Sequence, residues 1–207
     1  MQLLMKLKNI KKISAGLVIV FLLSACGSTG SGVSVGKTEV TSAQIQKYVD
    51  EILSERAKVD TTRMNLGSGA SLVRTQAQFQ IISVVLDQIL TDKKISVTPA
   101  DVAARRADIV TQVGGEKELP AALVSASLAP SNLDKYLKII LISEKLNALV
   151  VTEGATAETA GEVVTKLVTD TAKKLGVKVN ARYGKWNETT ATIEEADNTG
   201  GAVTPVP

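Results

Sequence analysis

Residues 84–110 read VVLDQILTDKKISVTPADVAARRADIV and predict the end of one helix and the start of another. The apolar side chains of the first part continue a helix over about 71–91 that is apolar nearly all round, which is typical of a helix buried on several sides. Thr98 fits an N-cap, Pro99 the first helical position, and Asp101 completes the cap. This stretch therefore predicts a buried central helix that is followed, after a short connection, by a helix of small and charged residues.

Helical spacing of apolar residues continues on both sides of this stretch. The predicted helices cover about 41–58, 71–91, 99–110, 119–128, 131–150 and 157–175. Two short extended segments, Val33–Val35 and Val177–Val179, lie at the two ends of the folded part. We predict that they pair. The expected fold is mainly α, a compact bundle of about six helices with two short terminal β segments that pair.

The N-terminal segment has the pattern of a signal peptide. Four lysines and no acidic residue occur in the first twelve positions, and the apolar run Ile13–Leu23 is too short for a comfortable membrane span. The following LSACG resembles a bacterial lipobox. It predicts cleavage of residues 1–25 between Ala25 and Cys26, a diacylglyceryl and acyl lipid on Cys26, and a flexible linker over 26–32. The alternative is a chance cysteine in a simple signal peptide.

Composition restricts the chemistry that the mature chain can perform. The chain has no histidine and one cysteine, which excludes Ser-His-Asp and Cys-His sites, imidazole metal sites and disulfides within the chain. Of its 24 basic residues, four lie in residues 1–25, so 20 remain against 21 acidic ones. No basic face with interleaved aromatic residues is evident. We therefore expect no catalytic residue, no metal, no cofactor beyond the lipid, and no nucleic-acid partner.

The order of elements resembles the N-terminal chaperone domain of the SurA and PrsA family. Three segments carry the resemblance: the quoted stretch at 84–110, SNLDKYLKIILISEKL at 131–146, and VKVNARYGKW at 177–186, in which Ala181 replaces the usual proline. The resemblance implies a helical chaperone domain over 33–186. We expect Tyr183 and Trp186 to pack this end of the domain against the helices, and we predict a disordered tail over 187–207.

The resemblance further implies an ATP-independent chaperone for unfolded or nascent secreted polypeptides, held by its lipid at the extracytoplasmic face of the cell membrane. The parvulin isomerase module that accompanies this domain in the family is not recognisable, so we expect no enzyme activity. A structural lipoprotein that binds one specific partner is the alternative function. A prolyl isomerase is a less favoured one.

Four residues are candidates for contact with client polypeptides. Met64 and Leu66 lie in a glycine-rich loop without helical periodicity, and loop-rich or Met-bearing surfaces suit promiscuous binding. Phe79 and Tyr136 are the larger side chains of the two central helices. The alternative for Phe79 and Tyr136 is ordinary core packing, and for Met64 and Leu66 a loop that packs onto the core.

Overall fold

Six helices and five short strands follow one another in the computed structural model, which describes residues 30–196. The helices are α1 (Ser42–Arg56), α2 (Gly69–Asp92), α3 (Pro99–Gln112), α4 (Leu119–Ser125), α5 (Leu133–Thr152) and α6 (Ala160–Leu175). The strands are β1 (Ser31–Val35), β2 (Thr38–Thr41), β3 (Val177–Val179), β4 (Lys185–Asn187) and β5 (Thr192–Glu194). The predicted signal peptide, Ala25, Cys26 and the end of the predicted tail lie outside the described residues.

The main core surrounds α2, which confirms the predicted central helix. Ala77, Ile81 and Val85 on this helix are fully buried. They share one apolar cluster with Ile142 and Leu146 of α5, while side chains from α6 and β1 also join it. Burial of an isoleucine or leucine side chain stabilises the fold by roughly 1.5–3 kcal/mol relative to exposure. The mainly helical fold class is confirmed, with 61% helix.

A three-stranded antiparallel sheet in the order β2-β1-β3 joins the two ends of the helical body. Val33 pairs with Val179 and Val35 with Val177, so the predicted pairing of the two terminal segments is confirmed. Gly36 forms the turn between β1 and β2 with a φ of 59°, a left-handed conformation that glycine adopts at little cost. At the end of β2, Thr41 and Gln44 form a capping box that begins α1.

A second antiparallel pair, β4 with β5, corrects the predicted start of the tail. The prediction of a disordered tail from residue 187 is wrong for residues 187–194, because Asn187 pairs with Thr192 and Trp186 with Ile193. Side chains of α2 hold this hairpin. The Gln78 amide donates to the Ala191 carbonyl oxygen at 2.7 Å and accepts from the Ile193 N–H at 2.7 Å. Tyr183 and Trp186 pack into or against the main core, as expected.

Helix α3 begins where the sequence predicted. The Thr98 hydroxyl accepts from the Asp101 N–H at 3.1 Å, and the Asp101 carboxylate accepts from the Thr98 N–H at 2.9 Å. Two otherwise unpaired backbone donors are thereby satisfied. None of the α3 side chains is fully buried, unlike those of α2 and α5. The position of α3 therefore depends on its cap and on partly buried side chains.

The cap of α3 makes the stability of the protein depend on pH. The hydrogen bond from the Thr98 N–H, with a smaller contribution from Lys145, holds the pKa of the Asp101 carboxyl below its ordinary value. A lowered pKa in the folded state adds stability above the unfolded-state pKa, and this stability is lost as the pH falls through the folded-state pKa. We therefore expect Asp101→Asn to lower the thermal midpoint near neutral pH, because asparagine keeps an acceptor and loses the charge.

The expected difference between wild type and Asp101→Asn shrinks as the pH falls from about 7 to about 3. Thermal unfolding followed by circular dichroism at several pH values measures it. A difference in midpoint that is independent of pH would contradict a role for the ionised carboxylate. Asp108→Asn on the same helix is the matched control, because no hydrogen bond or ion pair of its carboxylate occurs among the described residues, and a constant small difference is expected for it.

Candidate functional site

Two adjoining grooves run along α3, where this helix meets its neighbours. The first, here called the α3 groove, has a volume of about 450 Å³ and is lined by Asp87, Pro99, Val102, Ala103, Arg106, Asp134, Lys135 and Lys138. The second, here called the α4 groove, has a volume of about 480 Å³ and is lined by Glu55, Arg106, Glu116, Leu119, Pro120, Leu123, Pro130, Ser131, Leu133 and Asp134. Because Arg106 and Asp134 line both grooves, the two form one run along the surface.

The apolar wall of the α4 groove belongs to a second core cluster. Its buried members are Leu119, Leu123, Leu128, Leu133 and Leu137, and partly buried side chains packed against them are Phe79, Val102, Ile109, Val110 and Val113. Three of these ten residues, Val102, Ile109 and Val110, are on α3, and Val113 directly follows it. The second cluster therefore attaches α3 to α4 and α5.

The α3 groove has an apolar face because of how α3 begins. The cap at Thr98 fixes the first turn, in which Pro99 is the first helical residue. Val102, Ala103 and Arg106 follow at spacings of three and four residues, which place side chains on one helical face. Pro99, Val102 and Ala103 thus form a small apolar surface that ends at the guanidinium group of Arg106.

Most charges of the α3 groove are neutralised by neighbours. Lys138 Nζ lies 2.6 Å from the Asp87 carboxylate. Arg106 makes two hydrogen bonds to the Glu116 carboxylate, at 2.7 and 3.2 Å. The hydrogen bonding to Glu116 raises the pKa of Arg106, and the Asp134 carboxylate adds a smaller contribution in the same direction. Bidentate pairing of this kind also fixes the orientation of the guanidinium plane.

Lys135 differs from the other two cations of the groove. Its Nζ donates to the Gln80 Oε1 atom at 2.7 Å, and among residues 30–196 no carboxylate lies within ion-pair distance of it. Partial burial lowers the pKa of the Lys135 ammonium, an effect that the Asp87 charge opposes. Lys135 is therefore a half-buried cation whose only polar contact in the described chain is to a neutral amide.

Gln80 belongs to a set of buried side chains with unsatisfied polar atoms. Gln76, Gln80 and Asn132 are each at most 2% exposed. Within the described chain, Gln76 Oε1, Gln80 Nε2 and Asn132 Nδ2 have no hydrogen-bond partner. Buried polar atoms in folded proteins are nearly always paired, so these three atoms are exceptions among the described residues.

The neighbouring end of α4 is held by Gln76 and Arg56. Ser127 has a φ of 50°, a left-handed conformation in which non-glycine residues are uncommon. Its carbonyl oxygen accepts from Gln76 Nε2 at 3.0 Å and its hydroxyl from Arg56 Nη2 at 3.0 Å. A glycine at this position would remove the strain of the left-handed backbone conformation, but it would also remove the hydroxyl group. The contact to Arg56 thus explains why a serine can occupy this turn.

The four residues predicted to contact clients do not line these grooves. Met64 and Leu66 lie half-buried in the loop between α1 and α2. Phe79 is half-buried against the second core cluster, whereas Tyr136 on α5 is 38% exposed. Client contact at these four positions stays a prediction. Sequence patterns did not identify the grooves, because their lining residues come from several elements that only the tertiary fold brings together.

Two larger grooves have a different character, although the second of them shares Glu55, Pro130 and Ser131 with the α4 groove. One of about 780 Å³ lies between α6 and the turn of the β4–β5 hairpin, and one of about 710 Å³ lies beside α1. The first has only glycine, threonine and charged residues in its lining, and the second has one alanine and one proline as its only apolar side chains. Neither has a group of neighbouring apolar side chains such as Pro99, Val102 and Ala103 in the α3 groove.

Over residues 30–196 there is no cluster of three or more side chains suited to hold a metal ion. In the same range no helix has both the length and the apolar composition needed to cross a bilayer. Comparison of the chain with protein-family models, with curated proteins and with solved structures found no match. Its function is therefore inferred from its residues and their geometry.

Proposed function

We propose that this chain is a lipid-anchored extracytoplasmic chaperone that binds unfolded or nascent secreted polypeptides without ATP. The observation that carries the proposal is the run of two adjoining grooves along α3. An extended polypeptide needs a long surface on which apolar patches alternate with polar groups. The α3 groove provides Pro99, Val102 and Ala103, and the α4 groove provides apolar side chains of α4 and α5. Arg106 and Asp134 lie between the two patches.

A surface of this kind suits a holding chaperone for two physical reasons. The apolar patches are small and flanked by charged side chains, so the free protein stays soluble while it still offers apolar contact. A protein that binds unfolded chains shifts their folding equilibrium by mass action and needs no nucleotide for this. The sequence contains no GxxxxGK[ST] phosphate-binding loop, which agrees with this mode of action.

The proposed anchor concentrates the chaperone where its clients emerge. Two acyl signals on one residue give stable attachment to a bilayer, and Cys26 is the residue that the lipobox-like sequence assigns to this role. Attachment to the membrane raises the local concentration of the grooves near proteins that have just crossed it. Weak binding to each client is then sufficient for function.

The test is suppression of aggregation by the purified full-length chain in nanodiscs. We expect it to slow the light-scattering increase of a chemically denatured client after dilution, without ATP. Ala103→Trp is expected to reduce this activity several-fold, because the indole fills the α3 groove. Ala104→Trp is the matched control: it puts the same side chain at the next, exposed position of α3, which lines neither groove.

Wild-type protein that leaves the aggregation rate unchanged at molar excess would contradict the chaperone function. Equal activity of the Ala103 and Ala104 variants would contradict the grooves as the client site. Photoreactive residues at Met64, Leu66, Phe79 and Tyr136 in living cells test the sequence-based contact residues. Capture of one recurrent stoichiometric partner from these positions would favour the scaffold alternative over the chaperone.

A further inference from the structure

We infer that the α3 groove prefers client segments in which an acidic side chain lies beside apolar residues, and that Lys135, whose ammonium is held by the Gln80 amide, receives the carboxylate. This inference rests on the proposed chaperone function and specifies the class of polypeptide that it serves. It depends on three features: a cation of the groove without an ion-pair partner, a buried amide that holds this cation, and a neighbouring apolar surface.

The first feature is the charge of the lining. Arg106, Lys135 and Lys138 contribute three positive charges, and Asp87 and Asp134 contribute two negative ones. Lys138 is paired with Asp87, and Arg106 is paired with Glu116 and lies near Asp134. Lys135 is thus the cation of this groove that an incoming carboxylate could neutralise without displacing an existing ion pair.

The second feature is the Gln80 amide. Its oxygen accepts from Lys135, while its Nε2 atom has no partner among the described residues although the side chain is only 2% exposed. The oxygen and the Nε2 group of the Gln80 amide are therefore both close to the Lys135 ammonium. A carboxylate has two oxygens and accepts from several donors at once. A carboxylate in the groove can therefore accept from Lys135 Nζ, while the buried Gln80 amide, which does not itself line the groove, holds that ammonium in place.

Partial burial increases the energetic value of such a contact. The pKa of Lys135 is lowered because its charged form has lost part of its hydration. A carboxylate restores a favourable interaction for that charge in surroundings where water screens it less. A lysine or arginine of a client at the same point would instead meet an uncompensated positive charge. The groove therefore discriminates between acidic and basic segments.

The third feature limits which acidic segments fit. Pro99, Val102 and Ala103 lie in the same groove as Lys135, so the neighbours of the acidic residue are in contact with apolar side chains. A segment with several successive acids would not use this surface and would be repelled by Asp87 and Asp134. The best partner is an extended polypeptide in which single Asp or Glu residues occur among Val, Leu and Ala.

Binding of three matched peptides tests the inference. The three peptides share one pattern of apolar residues and differ only at a central position, which is Asp, Asn or Lys. Fluorescence anisotropy measures their binding to the full-length chain in nanodiscs. Empty nanodiscs give the background. Hydrogen bonds to charged groups are stronger than neutral ones, so we expect the Asp peptide to bind about tenfold more tightly than the Asn peptide. The Lys peptide should bind more weakly than both.

Lys135→Met is expected to remove the preference for Asp over Asn and to leave the affinity for the Asn peptide nearly unchanged, because methionine keeps the apolar stem. Lys135→Arg should keep the preference. Lys166→Met is the matched control: it removes the same charge from an exposed position on α6, where Lys166 pairs with Asp170, and should keep the wild-type preference. Equal affinities of wild type for the Asp and Asn peptides would overturn the inference. An equal loss of the preference for Asp in Lys135→Met and in Lys166→Met would also overturn it.

A second measurement does not depend on the folding of a Lys135 variant. A photoreactive residue at Ala103 in the otherwise native chain should capture the Asp peptide in preference to the Asn peptide, and one at Ala104 should capture neither. Capture without preference at Ala103 also overturns the inference. Suppressed aggregation without any acidic preference would leave the chaperone function and remove this inference. A clear preference for the Asp peptide without suppressed aggregation would leave this inference and remove the chaperone function.

Discussion

Replacing Gly184 with alanine is expected to lower the free energy of unfolding by about 3 kcal/mol, because alanine is both strained and obstructed at this position. Gly184 has a φ of 127° and a ψ of −160°, a region that is essentially restricted to glycine. An added Cβ would overlap the Glu194 carbonyl oxygen of β5 and lie 3.1 Å from Ile193 Cγ2. The obstacle is backbone, so it cannot be relieved by rotation of a side chain.

Chemical denaturation with two probes measures this effect. Trp186 is the single tryptophan of the chain and lies on β4, two residues after Gly184, so its fluorescence reports the hairpin. Far-ultraviolet circular dichroism reports the helices. We expect both transitions of Gly184→Ala to move to lower denaturant concentration, and the fluorescence of Trp186 to shift to the red even before unfolding.

Gly161→Ala is the matched control for this substitution. Gly161 lies within α6, and an added Cβ would meet no atom within 4 Å. Alanine in a helix is about 0.5–1 kcal/mol more favourable than glycine, so this variant should be slightly more stable than wild type. A Gly184→Ala protein with the stability of wild type would show that the hairpin does not pack as described.

The sequence was informative wherever neighbouring residues determine the local structure. The Thr41 and Thr98 caps begin α1 and α3 at the expected residues, since a hydroxyl and an N3 acceptor three residues later satisfy backbone donors in any context. Pairing of β1 with β3 could also be predicted, because two Val-rich segments at the ends of one domain need partners for their backbone groups.

The β4–β5 hairpin could not be predicted in the same way. Its second strand has one large apolar side chain, Ile193, in a segment rich in threonine and acidic residues, which is the composition of a disordered tail. The hairpin forms because distant groups on α2 supply its partners. Gln78 bonds Ala191 and Ile193 through its amide, and Arg74 lies 3.2 Å from the Glu195 carboxylate.

The grooves were missed for a related reason. Lys135 and Gln80 are 55 positions apart and neither belongs to a recognisable motif. Asp134 is an acid in the first turn of α5, where the helix dipole favours it, and this local role gives no sign that it also lines both grooves. Helical periodicity identifies which face of a helix is apolar. It does not show which polar residue at the edge of that face will be left without a partner after the helices pack.

Leu137→Ala is expected to destabilise the protein by about 3 kcal/mol and to impair the grooves more than other core substitutions do. Leu137 is 0% exposed and belongs to the second core cluster. Removal of three buried carbon atoms loses their transfer free energy and leaves a cavity between α5 and its neighbours. Val102, Ile109 and Val110 of α3 pack against that cluster, and α3 has no fully buried side chain of its own.

The local consequence distinguishes this substitution from a general loss of stability. We expect amide hydrogen exchange in α3 to accelerate more than exchange in α2 or α6, since α3 loses part of its attachment while the main core is unchanged. Leu53→Ala on α1 is the control, because Leu53 is 47% exposed and its truncation should change stability by less than about 0.5 kcal/mol. Uniform acceleration across all helices would contradict the separate role of the second cluster. Preferential opening of α3 together with weaker peptide binding would show that this cluster maintains the binding surface, because α3 supplies one wall of the α3 groove and the Arg106 side chain that lines both grooves.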